Sequence, residues 1–93
     1  MTDPDRYRLV IAPAARRQLT DTLREAVAFA AHEFIVGPLP DNPKRVGKPL
    51  HEPLQDRHLA RRGTYRLIYR IDEDAGTVTV PAIMPRADAY RAP

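Results

Sequence analysis

The stretch RRGTYRLIYR, residues 61–70, decides how this chain is read. Tyr65, Leu67, Tyr69 and Ile71 alternate with other residues as the buried face of a strand does. Gly63 precedes the run as a turn residue, and HLARR, residues 58–62, is a second β-rich segment on its far side. Together they predict an antiparallel hairpin. Arg66 and Arg70 fall between the apolar positions, and Arg61 and Arg62 lie at the turn. So many guanidinium groups on one hairpin serve either to solvate a surface or to grip a polyanion.

Register separates the faces. With Arg62-Gly63 as a two-residue loop, Arg61 lies opposite Thr64, Leu59 opposite Arg66 and Arg57 opposite Ile68. Residues directly opposite share a face. Arg57, Arg61, Arg66 and Arg70 therefore project from one side. His58, Ala60, Tyr65, Leu67 and Tyr69 project from the other, toward the helices. A three-residue loop would exchange the faces. Like charges on neighbouring strands cost stability, and the hairpin carries no carboxylate among them. Arginine presents a planar fork of donors that matches phosphate.

Outward from the hairpin, TVTVPAIM, residues 77–84, is a third β-rich run, joined through the acidic turn Asp72-Glu73-Asp74-Ala75-Gly76. Short links between consecutive strands predict antiparallel pairing. At the other end, YRLVI, residues 7–11, reads as a first strand. Pro13 suits the first turn of a helix running to about Leu19. Thr20 or Asp21 caps a second helix, with Glu25 near its positive end. Leu23, Ala26, Val27, Ala30 and Phe34 form its core-facing stripe, and Gly37-Pro38 ends it. Residues 37–56 hold Pro38, Pro40, Pro43, Pro49 and Pro53, and predict an ordered surface loop without helix or central strand. The expected fold class is α+β: a small antiparallel sheet packed by an N-terminal helical pair, in β-α-α-β-β-β order, as one domain over residues 1–93.

The bulk numbers bound the function. The chain has 93 residues, no cysteine and a net charge of +3. Disulfides and cysteine-ligated metals are excluded, and no apolar run approaches a membrane span. No metal, cofactor or membrane partner is expected, and the location expected is the cytoplasm. The charge is unevenly placed. Residues 44–70 carry Lys44, Arg45, Lys48, Arg57, Arg61, Arg62, Arg66 and Arg70 against Glu52 and Asp56, while the flanks are net acidic. A concentrated positive middle points to a polyanion, most often nucleic acid.

These segments resemble the RelE/ParE superfamily of bacterial toxins. GKPL at 47–50, RRGTYRLIY at 61–69 and AIMPRADAYR at 82–91 look like its three signatures, in the same order and covering nearly the whole chain. The resemblance is nearest to the RelE-like ribonucleases, and it implies a toxin that cuts messenger RNA in the ribosomal A site and is restrained by a cognate antitoxin. Carried across, Arg66 and Arg86 fall on catalytic arginines, and Tyr90 near a C-terminal tyrosine that stacks on a base. Arg61 matches the arginine of the R-x-G-x-Y-R motif, and Arg57 a basic catalytic position at the head of that strand. The chain departs from the pattern at Leu59, where some members have a lysine, at Pro85, where others have a histidine, and at Leu50, where one branch has a glutamate base.

The chemistry so implied is attack of an RNA 2′-OH on the adjacent phosphate, which needs in-line orientation, charge stabilisation and two proton transfers. Arg66 and Arg86 would clamp the growing charge. Arg57, Arg61, Lys48, Lys44 and Arg45 would hold flanking phosphates, and Tyr90 would stack on the nucleotide. His58 is expected to face the core and His32 to be solvated, which leaves His51 as the one histidine able to take part. Arg62 and Arg70 read as solvated, and Tyr65 and Tyr69 as core. Two other functions share the fold: a ParE-like toxin directed at DNA gyrase, and a catalytically weakened antitoxin-binding module.

Overall fold

A computed structural model describes residues 6–50 and 57–85. Strand β1, Arg8–Ile11, leads through Ala12 into helix α1, Pro13–Arg17, with Pro13 in the first turn, where its missing N–H leaves no bond unmade. A π-type turn, Gln18–Thr22, follows, and then helix α2, Glu25–Val36. A one-turn helix α3, Pro38–Asp41, and a two-residue strand β2, Lys48–Pro49, lie in the proline-rich segment. Strands β3, Arg57–Arg61, β4, Tyr65–Asp72, and β5, Thr77–Pro85, complete the chain.

The five strands form one sheet in the order β1-β5-β4-β3-β2. Strands β2 to β5 pair antiparallel, as the short links require, whereas β1 pairs with β5 in parallel, Leu9 opposite Val78 and Ile11 opposite Val80. The linking helices carry the chain from β1 to the far side of the sheet, so its pairing falls outside what local links dictate. The helices cover one face. Ala15, Val27, Ala31, Phe34, Ile35 and Leu39 pack there against Ala60, Leu67, Tyr69, Val78, Val80 and Ile83. Each fully buried Leu, Ile or Val side chain contributes about 1.5–3 kcal/mol. No described helix is long and apolar enough to cross a membrane.

Four sequence expectations are corrected. The hairpin turn is centred one residue later than expected, on Gly63-Thr64: Arg61 pairs with Arg66, Leu59 with Ile68 and Arg57 with Arg70, and the Arg62 N–H donates to the Tyr65 carbonyl at 3.0 Å. The register moves by two, so every residue keeps its predicted face. Thr20 and Asp21 do not cap α2. They lie in the π-type turn, where the Thr20 hydroxyl donates back to the Arg16 carbonyl at 3.1 Å, and Arg24 takes the cap position without a side-chain bond. The buried stripe of α2 is Val27, Ala31, Phe34 and Ile35, with Ala26 and Ala30 exposed. The proline-rich segment also contains α3, because Pro38 sits at a helix start, where proline is tolerated.

A bulge re-phases β5. Its pairing with β4 shifts between Ile68 and Arg70, so Val80 and Pro81 together face the single residue Tyr69. Proline has no N–H for the ladder and is tolerated inside a sheet at such a bulge. Before it, Val78 and Val80 point inward; after it, Ile83 does, opposite Leu67. Beyond Ile11, β5 has lost β1 as a neighbour, and the Gln18 side chain takes its place. Its amide N–H donates to the Ile83 carbonyl at 2.5 Å, and its carbonyl accepts from the Ile83 N–H at 2.8 Å.

Candidate nucleic-acid interface

The face of the sheet turned away from the helices is ordered into three transverse rows. Arg57, Arg70 and Thr79 make one, from the pairings of β3 with β4 and β4 with β5. Lys48, Leu59, Ile68 and Ala82 make the next. Arg61, Arg66 and Met84 make the third. Directly opposed residues stand about 5 Å apart at Cβ, so the sheet holds two arginine pairs face to face. Arg61, Arg66 and Arg70 are exposed and Arg57 is partly so. The predicted segregation of an apolar back and a cationic front therefore holds, and the charges are closer than the expected turn would have put them.

Beside β3 the returning segment opens a cleft of about 430 Å³, lined by Arg45, Val46, Gly47, Lys48, Pro49, Leu50, Leu59 and Arg61. Three of the expected phosphate-binding residues, Arg45, Lys48 and Arg61, are thus brought to one cleft. Gly47 is what lets the segment lie so close. A Cβ there would fall 2.9 Å from the Leu59 carbonyl oxygen and collide with the Tyr69 hydroxyl. The Tyr69 hydroxyl donates to the carbonyl of buried Pro43, which pins the same segment from behind the sheet. Burial pushes the Tyr69 phenol up to about 12.

Lys44 is placed elsewhere. Its ammonium lies 2.5 Å from Glu73, whose other oxygen accepts from the Tyr7 hydroxyl at 2.7 Å. Glu73 raises the Lys44 pKa, and Lys44, with Tyr7, lowers that of Glu73. This ion pair ties the loop to the β4–β5 turn and leaves Lys44 outside the cationic rows. Arg62, read from sequence as solvated, is exposed but lies over the Phe34 ring, 4.2 Å from its centroid. Burial raises the pKa of Tyr65, with Arg62 opposing the shift.

His58 faces the helices as expected. It stacks on Tyr69 with ring centroids 5.6 Å apart, and its Nδ1 is buried without a hydrogen-bond partner among the described residues. Burial, and to a lesser extent Lys44, lower its pKa. It is the neutral ring of a core contact, on the opposite side from the arginines. His32 is exposed on α2. Arg86 and Tyr90, the two expected contributors from the C-terminal signature, and His51 lie outside the described residues.

Sequence reasoning passed over the middle row. The expected register set Leu59 and Ile68 opposite arginines, but neither was given a part in binding. The alternation that put Arg66 and Arg70 outside puts Ile68 outside too.

Comparison with known proteins agrees with this architecture. Residues 4–90 match the family described as ParE toxin of type II toxin-antitoxin system, parDE. Toxin RelE of Mycobacterium tuberculosis is 43% identical over 91 residues, covering 98% of this chain and 93% of that protein. Toxin RelG of the same organism is 45% identical over 85 residues, covering 91% and 97%. Among solved structures, the RelBE2 toxin-antitoxin complex of M. tuberculosis contains a chain that is 42% identical, with a TM-score of 0.79 over 87% of this chain and 99% of that one. A mutant of E. coli toxin RelE in the free state shares the fold, with a TM-score of 0.68 at 21% identity, covering 91% of this chain and 87% of that one. On a match that spans nearly its full length and on relatives above 40% identity, this chain belongs to the ParE toxin family of type II toxin-antitoxin systems.

Proposed function

We propose that this chain is an endoribonuclease toxin, one that inhibits translation by cleaving messenger RNA in the ribosomal A site without a metal ion. The observation that carries the reading is the pairing of Arg61 with Arg66 on the open side of the sheet. Like charges held face to face cost stability, and a phosphodiester backbone offsets that cost. Relatives named RelE and RelG support the same class.

In the proposed reaction the 2′-oxygen attacks the adjacent phosphorus and the 5′-oxygen leaves. The products are a 2′,3′-cyclic phosphate and a 5′-hydroxyl. One proton leaves the 2′-OH and one reaches the departing oxygen. Arg66, joined by Arg86, meets the phosphoryl oxygens as their charge grows. Arg61, Arg57, Lys48 and Arg45 hold the neighbouring phosphates, and Tyr90 stacks on the nucleotide. His58, Tyr65 and Tyr69 lie behind the sheet and take no proton. Acceleration then rests on orientation and electrostatics, which fits a substrate arranged by the ribosome. The partners are the ribosome with its mRNA and a cognate antitoxin that covers the cationic side. One domain over residues 1–93 and a cytoplasmic location complete the reading.

The family description favours a second reading, a ParE-like toxin that poisons DNA gyrase. Leu59, apolar amid arginines, favours a third, a weakened module that only binds antitoxin. The deciding experiment adds purified protein to a translating ribosome extract and maps new RNA 5′ ends. Cuts within A-site codons, persisting in EDTA when polyamines keep ribosomes intact, are expected. Intact mRNA with trapped gyrase–DNA complexes establishes the second reading; intact mRNA and normal gyrase, the third.

A further inference from the structure

The arginine rows are separated by one that is apolar apart from Lys48 at its edge. Leu59 and Ile68 are direct cross-strand partners on the open side of the sheet, both half-buried, and Ala82 extends their row onto β5. Solvation does not account for this order, because the two inner positions of the middle row, Leu59 and Ile68, carry aliphatic groups. Phosphate binding does not account for it either, since a cation there would strengthen the field. Leu59 also forms part of the wall of the cleft that holds Arg45, Lys48 and Arg61.

We infer that the middle row is a seat for a nucleobase of single-stranded RNA, with the phosphates before and after it held on the two arginine rows. The inference rests on the ribonuclease reading and assigns it a contact that the arginines do not supply. Alternate residues on one face are about 7 Å apart along a strand, so the arginine rows stand on the order of 13 Å apart. The phosphates on either side of one nucleotide are closer together than that, and the long arginine side chains can lean inward from both rows to meet them. A base between those phosphates lies over Leu59 and Ile68. Its flat face meets branched aliphatic groups, and the flanking guanidinium planes close its edges. The described row offers no side-chain group beyond Lys48 that could read a base edge. The seat should therefore accept any base and require only that one be present.

The test uses the full-length protein and two trinucleotides of 2′-O-methyl RNA, which cannot undergo 2′-OH attack. One carries all three bases; the other is abasic at the centre, with the same phosphates. Binding is measured by fluorescence anisotropy across a salt series. The wild type should prefer the intact oligonucleotide by about tenfold, the factor expected for roughly 60 Å² of apolar contact. The double variant Leu59→Thr/Ile68→Thr, which keeps strand-compatible side chains, should lose that preference. Its affinity for the abasic strand and its salt slope should not change, since the arginines remain. Equal binding of both strands by the wild type overturns the inference, as does no binding at low salt. A preference that survives in the double variant also overturns it, because the base is then seated elsewhere. A base preference without cleavage on ribosomes would sink the ribonuclease reading and leave the seat standing. Cleavage without a base preference would do the reverse.

Discussion

The two sides of this sheet treat charge in opposite ways. On the helix side and its margins, charges meet their complements: Arg6 reaches Asp41 at 2.6 Å, and Lys44 reaches Glu73 at 2.5 Å. Both pairs fasten the proline-rich segment to the ends of the sheet. On the open side Arg61 stands opposite Arg66, and among the described residues neither makes an ion pair. Exposed pairs of the first kind are worth about 0–1 kcal/mol each, so they position a loop more than they stabilise it. Apposition of the second kind is opposed by the fold, and on the proposed reading an external anion offsets that cost. Residue type alone does not separate these roles, for Lys44 and Lys48 sit four positions apart and fall on different sides of the distinction.

Arg66 tests that contrast most sharply. A group that meets the phosphate as its charge develops acts on the rate constant, whereas one that holds the strand throughout acts on affinity. Arg66→Ala should lose about 100- to 1,000-fold in single-turnover cleavage on programmed ribosomes while still binding them. Arg66→Lys should recover only part, a point charge replacing a fork. Arg57→Ala should mainly weaken binding and reduce its salt dependence. Parental cleavage by Arg66→Ala at saturating ribosomes would mean that the open side only attracts RNA.

On the other side the sensitive position is a glycine. Gly47→Ala drives a methyl group against the Leu59 carbonyl and the Tyr69 hydroxyl. A forced shift of that kind costs about 1–3 kcal/mol. Gly63→Ala meets nothing within 4 Å and should stay within about 0.5 kcal/mol of the parent. Urea unfolding of the two variants measures both. Equal stability would show that the segment rests on the sheet less closely than the contacts require.

The smallest expected effect is the pH dependence of the helix side. The folded protein holds His58 neutral, with its pKa below the ordinary 6.5. Stability from this group is therefore present above about pH 6.5 and is lost as pH falls through the lower folded value. Tyr69 works at the other end. Its pKa is raised from 10.0 to about 12, so its contribution is intact below pH 10 and is lost as pH climbs toward 12. Thermal unfolding across pH should fall at both ends, and His58→Phe should flatten the acid limb alone. An unchanged acid limb would place the titration on other groups.

The face of each hairpin residue was legible in the sequence because alternation survives any change of register by two, and the real turn differs from the expected one by that amount. Its position was not legible: Arg62-Gly63-Thr64 has no dipeptide that dictates where a two-residue turn falls. The helical half was harder. Alanine is indifferent to burial, so Ala26 and Ala30 looked as suitable for the core as Ala31, and the π-type turn shifted the start of α2 past Thr20 and Asp21. The parallel β1–β5 pairing joins residues about seventy positions apart, which no local pattern encodes. In the candidate site, charge made Arg57, Arg61, Arg66 and Lys48 visible. Leu59 and Ile68 already lay opposite arginines in the expected register, but an aliphatic side chain carries no charge to mark it as a contact.

The face-to-face arrangement of Arg61 and Arg66 also bears on how such a chain is inherited. On the proposed reading, replacing either arginine with a neutral residue disarms the protein, and because it also removes a repulsion it should not unfold it. Lineages that escape growth arrest could then do so through one missense change, and the silenced product would persist at normal abundance. It would go on occupying whatever normally restrains the active form. Disarmed copies would then act as decoys rather than as debris, shifting the balance for any intact copy in the same cell.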